Sequence, residues 1–240
     1  MKTRAVQIAL LILMVFQFGF AQSTQEFFDK ADVFFKTYIK DGRITYAAIK
    51  EDESTLNELI EMAKIITVSK DAPEIYQAFW INGYNLSVIK GIIDNYPIKS
   101  PLDRPGFFDT TIYDIGRMSI TLNAIENKLL RANFPKEARF HFVLVCAGLG
   151  CPPIIDRAYL PSTLETQLQQ QTELSLNDPN FIKVKGNSVK LSQIFEWYKG
   201  DFARDGNNEI EFINRFRKEK LDIGAKVGYY PYDWRLNDTK

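Results

Sequence analysis

The chain has 240 residues, 30 basic against 30 acidic side chains, 45% apolar residues and 13% aromatic ones. That length and ring content suit one ordinary core and exclude a wholly disordered chain, and the balanced charge excludes a dedicated nucleic-acid binder, which needs a basic surplus to displace counterions. One histidine and two cysteines exclude a multi-histidine metal centre, a haem-attachment array and a disulfide-dense scaffold.

Lys2 and Arg4 precede an apolar run from Val6 to Phe20, and Gly19 and Ala21 put small residues where cleavage is specified. The segment 1–21 reads as a secretory signal peptide. Residues 22–240 are then a single mature domain, secreted or periplasmic, with no stable membrane insertion after cleavage. Ser23 or Thr24 caps a helix through Phe27, Phe28, Val33, Phe34 and Phe35. DGRITYAAI is a turn with a short extended piece. A second helix covers 51–66, with Leu56, Leu59, Ile60 and Met62 as its apolar stripe.

Asp71, Pro73 and Glu74 open a helix over about 73–95. It is apolar around most of its girth, which predicts a central, buried element. Asn82 and Asn85 share one face of it. A buried amide without partners costs on the order of 1–3 kcal/mol, so both must be hydrogen-bonded, either as ties to backbone or as part of a polar site.

TTIYDIGRMSITL alternates around Gly116 as a hairpin, and Thr121 caps a helix to Arg131 with Glu126 at the margin of its apolar face. ARFHFVLVC, residues 138–146, reads as a strand covered on both sides. Ser162 to Glu165 has the form of a capping box. FIKVKGNSVKLS is a second hairpin, and helices follow at about 192–199 and 207–219. The fold class is α+β: a small mixed or antiparallel sheet with one buried strand, packed by several helices including the central one.

AFWINGYNLSVI, ITLNAIENKLLR, RFHFVLVCAGLGCPP, LSQIFEWYKGDF and YDWRLN together resemble the bacterial family of domain of unknown function 547. The resemblance runs from about residue 40 to the end. It implies Asn82, Tyr84, Asn85, Glu126, Arg131, His141, Cys146, Cys151 and Pro152 as positions matching the family's motifs. Asn127 stands where family members often carry histidine, and Gly148-Leu149-Gly150 replaces a commoner small-Arg-Ser pattern. The family brings no settled activity.

Cys146 and Cys151 close a six-residue loop. In an oxidising compartment they are expected to form a disulfide, for which the loop entropy is roughly 2 kcal/mol; free thiols with a chemical role are the alternative. His141 is either a satisfied core residue or a general acid–base near neutral pH, oriented by Glu126. On a regular strand His141 and Cys146 would lie on opposite faces, roughly 16 Å apart, which disfavours a Cys–His pair. A zinc site on His141 and the two cysteines meets the same obstacle, so neither metal nor cofactor is expected. The order of elements parallels papain- and transglutaminase-like enzymes, with Asp233 as the later acid but no cysteine on the helix.

The expected site therefore comprises His141, Glu126, Asn82 and Asn85 as catalytic residues and Tyr84 and Arg131 as substrate-binding ones. The expected activity is a hydrolase or transferase acting on an amide or acyl bond in envelope material. The alternative is a non-catalytic envelope module that binds a peptide, glycan or partner protein, with Trp197, Tyr198 and Trp234 as an aromatic platform rather than core.

Overall fold

The structure, a computed structural model, describes residues 23–204, 206 and 208–239. The expected signal peptide lies outside them. Helix α1 (23–38) buries Phe27, Phe28, Phe34 and Phe35 and turns Val33 outward. A short antiparallel pair, β1 (Ile39–Lys40) and β2 (Arg43–Ile44), leads to α2 (Tyr46–Glu51) and α3 (Ser54–Ile65).

Helix α4 (Pro73–Ile93) begins at the proline, whose missing N–H is no loss in a first turn, and carries Glu74 beside the positive end of the helix dipole. Every residue from Ala78 to Ile89 is buried. A helix with no polar face must be covered all round. One cover is the antiparallel hairpin of β3 (Tyr113–Ile115) and β4 (Met118–Ile120). It sits so close that a Cβ on Gly83 would fall 2.3 Å from Ile115 Cδ1.

Thr121 accepts the Ala124 N–H and opens α5 (Leu122–Ala124), which continues as a π-helical turn over Ile125–Arg131. After α6 (Leu164–Asn177) come β5 (Lys183–Lys185), β6 (Ser188–Ser192), α7 (Gln193–Trp197), α8 (Lys199–Phe202), α9 (Glu209–Phe216) and β7 (Lys226–Tyr230). Strand β6 pairs antiparallel with β5 and parallel with β7, so this sheet is small and mixed. The α+β class stands, with α4 as the central helix.

One expected element does not form. Residues 138–142 are a 3-10 helix, and residues 143–147 are turn and irregular chain, not a strand. Glu137 caps the segment through the Arg139 N–H, and Val143 and Leu144 both return their N–H groups to the Phe140 carbonyl. Consecutive side chains in a 3-10 turn diverge by about 120°. Phe140 accordingly enters the core around α4, Phe142 enters a second core with Phe195, Phe202 and Phe212, and His141 points elsewhere. A run buried on all sides is apolar whether it is strand or short helix, and periodicity does not separate the two.

Candidate active site

A cavity of about 290 Å³ opens where the two cores meet. Its walls hold Tyr84 of α4, Asn123 and Glu126 of the α5 turn, His141, Cys146, Cys151, Trp197, Tyr198, Tyr232 and Trp234, with Phe108 and Asp109 at one side. With residues 138–142 helical and 143–147 irregular, His141 and Cys146 both reach the wall of this cavity. Glu126, His141, Tyr84 and both cysteines are brought together here.

The cysteine loop is shaped by backbone. Ala147, buried and at φ +59°, reverses the chain directly after Cys146. The carboxy-terminal segment then lies along the loop: Leu149 N–H donates to the Arg235 carbonyl, Gly150 N–H to Asp233 and Asn237 N–H to Ala147. Gly150 permits this approach, since a Cβ there would stand 2.8 Å from the Asp233 nitrogen and 2.9 Å from the Tyr232 ring.

The two sulfurs are free thiols in the structure, not the expected bridge. Cys151 Sγ accepts the Cys146 N–H at 2.9 Å and the Tyr232 hydroxyl at 2.9 Å, and Cys146 Sγ lies 2.6 Å from the same hydroxyl. A hydroxyl has one proton to give. When it donates to Cys151, it accepts from the Cys146 thiol. Burial opposes ionisation of both sulfurs. It pushes Cys146 well above the usual thiol range, aided by the neighbouring Cys151. At Cys151 hydrogen bonds from Cys146, Tyr232 and the backbone outweigh burial and lower the thiol.

His141 is clamped from three sides. Its Nε2 lies 2.9 Å from Asp201 Oδ2, its ring stacks on Tyr198 at 4.0 Å between centroids, and Phe202 closes another side. Asp201 also takes Arg131 Nε at 2.7 Å and Arg204 at 3.2 Å. Burial would raise this carboxyl, but the hydrogen bonds and charges of His141 and Arg131 hold it far below the usual carboxylate range. A carboxylate on Nε2 fixes that nitrogen as the N–H, which leaves Nδ1 as the acceptor of the ring.

The other expected site residues separate by role. Glu126 acts on two phenols, and the imidazole is bonded to Asp201 instead: Tyr84 and Tyr198 are pushed up by burial first and by the Glu126 charge next. Arg131 is absent from the cavity wall, sits 4.7 Å above the Tyr198 ring, and is bonded to Asp201 and Asn127. Asn127, in the position where histidine was noted, thus helps to hold Arg131. Asn82 and Asn85 stand away from the cavity. Asn82 exchanges hydrogen bonds with the Tyr159 N–H and carbonyl, and Asn85 with the Val145 N–H and Val143 carbonyl. These amides act as backbone pairs made by side chains, tying α4 to the chain on either side of the cysteine loop.

Three contributors lie outside the expected site residues. Asp201 takes the place of the expected later acid, whereas Asp233 pairs with Arg235 near the surface. Tyr232 bonds both sulfurs, and Asp109 joins the wall. Asp201 and Tyr232 lie in the segments LSQIFEWYKGDF and YDWRLN, so their place in shared motifs was the available signal. Among the described residues, no group of three or more His, Cys, Asp or Glu is placed to hold a metal ion.

Residues 70–176 match the family model described as "Protein of unknown function, DUF547". The matched segment runs from just before α4 nearly to the end of α6. It contains Tyr84, Glu126, His141 and both cysteines, while Asp201, Trp197, Tyr232 and Trp234 lie beyond it. No curated protein and no solved structure matches the chain.

Proposed function

We propose that the protein is a cysteine-dependent hydrolase or transferase acting on an amide or acyl bond. Cys151 is its nucleophile, His141 its acid–base and Asp201 the group that orients His141. The observation that carries this reading is the cavity in which a thiol with two hydrogen-bond donors on its sulfur shares a wall with a carboxylate-oriented imidazole. In the first step the Cys151 proton passes to His141 Nδ1 across the cavity. The thiolate attacks the carbonyl carbon, a thioester forms, and the C–N or C–O bond breaks as the leaving group takes the proton from His141. In the second step His141 deprotonates water or an acceptor nucleophile, which attacks the thioester and releases the acyl group from sulfur. Tyr232 and the Cys146 N–H steady the sulfur in both steps. The amino-terminal run of apolar residues supports an exported protein with its substrate in envelope material.

An activated ester tests this reading. With p-nitrophenyl acetate, the wild-type chain should release nitrophenol and yield an acetylated Cys151 peptide. C151S should abolish both, and H141A should slow turnover about 10²- to 10⁴-fold. Nitrophenol release that is unchanged in C151S would overturn the nucleophile. The exposed Trp197 beside Trp234 favours a second reading, a binding module with an aromatic wall. That reading expects saturable binding of a peptide or glycan and no acyl transfer to sulfur.

A further inference from the structure

Charge and aromaticity are distributed unevenly around this cavity. Its wall carries two acids, Asp109 and Glu126, and no lysine or arginine. Arg131, whose charge reaches Glu126, is committed to Asp201 and Asn127 behind the Tyr198 ring. Six aromatic rings complete the wall. Trp197 and Trp234 stack with their centroids 6.0 Å apart and 26° between planes, Phe108 packs on Trp234 at 6.1 Å, and Trp197 is 47% exposed at the mouth. Tyr84 is 3% exposed, and its hydroxyl has no hydrogen-bond partner among the described residues. Tyr84 shares the cavity wall with Glu126, Cys146 and Cys151.

From this arrangement we infer that the substrate carries a cation, an ammonium or guanidinium group, close to the bond that reacts; the inference rests on the acyl-transfer reading of the same cavity. Trp and Tyr faces attract cations through their ring quadrupoles, and tryptophan does so best. The Glu126 carboxylate and the unbonded Tyr84 hydroxyl supply acceptors for the N–H groups of such a cation. An anionic substrate would instead meet Asp109 and Glu126 with no lysine or arginine on the wall to compensate. The charge pattern selects against it.

The test uses binding without turnover. In the full-length C151S chain, quenching of tryptophan fluorescence is followed on titration with Nα-acetyl-lysine methylamide, its uncharged norleucine counterpart and the anionic glutamate counterpart. The lysine compound should bind saturably and about tenfold more tightly than norleucine, and glutamate should be the weakest. E126Q should reduce the lysine preference to within about twofold, and D109N, at a more exposed position, should reduce it in part. Equal affinity for lysine and norleucine compounds, preference for glutamate, no saturable signal, or an unchanged preference in E126Q would each overturn the inference. Because no acyl transfer is read here, such a failure leaves the thioester proposal to its own test, and a failed thioester test leaves cation selectivity measurable.

Discussion

The Tyr232 hydroxyl donates to Cys151 Sγ at 2.9 Å, a contact between residues 81 positions apart. The carboxy-terminal segment is therefore part of the thiol's environment. It reaches the sulfur because the 232–237 chain is hydrogen-bonded along the cysteine loop, and it acts on a residue of the segment matched by the family model from outside that segment. In Y232F the aromatic packing is kept and one donor to the Cys151 thiolate is lost. A hydrogen bond to a charged group contributes about 1.5–3 kcal/mol, so the pH midpoint of Cys151 alkylation by iodoacetamide should rise by about one to two units. An unmoved midpoint would mean that the hydroxyl does not act on this sulfur.

Gly150 makes the same contact sterically possible. In G150A the new methyl would stand within 3 Å of both the Tyr232 ring and the Asp233 nitrogen. The loop and the carboxy-terminal segment must then separate, at about 1–3 kcal/mol of stability. Equilibrium unfolding in urea should show that loss, and the alkylation midpoint of Cys151 should move upward as in Y232F. Wild-type values for both would show that the loop yields without disturbing the site.

Asp201 links stability to pH. Its carboxyl is held below its unfolded value, so the folded state gains from the ionised form at every pH above the usual carboxylate range. That gain is lost as pH falls through the lowered folded value. Between neutral pH and about pH 5 the Asp201 contribution should stay constant. D201N retains the shape but removes the charge from His141 and Arg131. It should lower stability at neutral pH by about 2 kcal/mol and narrow the gap to wild type in strong acid, where both lack the ionised group. A difference that grows on acidification would contradict the assigned sign.

Asn85 predicts the opposite pattern, a large structural effect with no effect specific to the chemistry. N85A leaves the Val143 carbonyl and the Val145 N–H unpaired in a buried setting, which costs about 2–4 kcal/mol. Urea unfolding should register this, while the folded fraction keeps the wild-type pH midpoint for Cys151 alkylation. A selective loss of reactivity with unchanged stability would return Asn85 to the chemical machinery.

These relationships also show what could be read from residues alone. The central helix was legible because its apolar residues cover most of its girth, and both hairpins were legible from alternation around Gly116 and Gly186-Asn187. Bonding of Asn82 and Asn85 followed from the cost of burying amides, but their partners did not, because those are backbone groups of distant segments. The 138–142 helical turn could not be told from a strand, since burial on every side erases periodicity. The difference matters for the chemistry, because an extended segment would set His141 apart from the cysteines. Asp201 and Tyr232 were hidden for another reason: they meet the imidazole and the sulfurs only through tertiary packing of α8 and the carboxy-terminal segment.

The central claim is that Cys151 is the activated sulfur of the cavity while Cys146 remains a protonated donor. Limited alkylation of the reduced chain with iodoacetamide at neutral pH, followed by peptide mapping, tests it most directly. Modification should appear on Cys151 well before Cys146, and the order should hold at each time point until Cys151 is consumed. Modification of Cys146 first, or of both residues at equal rates, would contradict it.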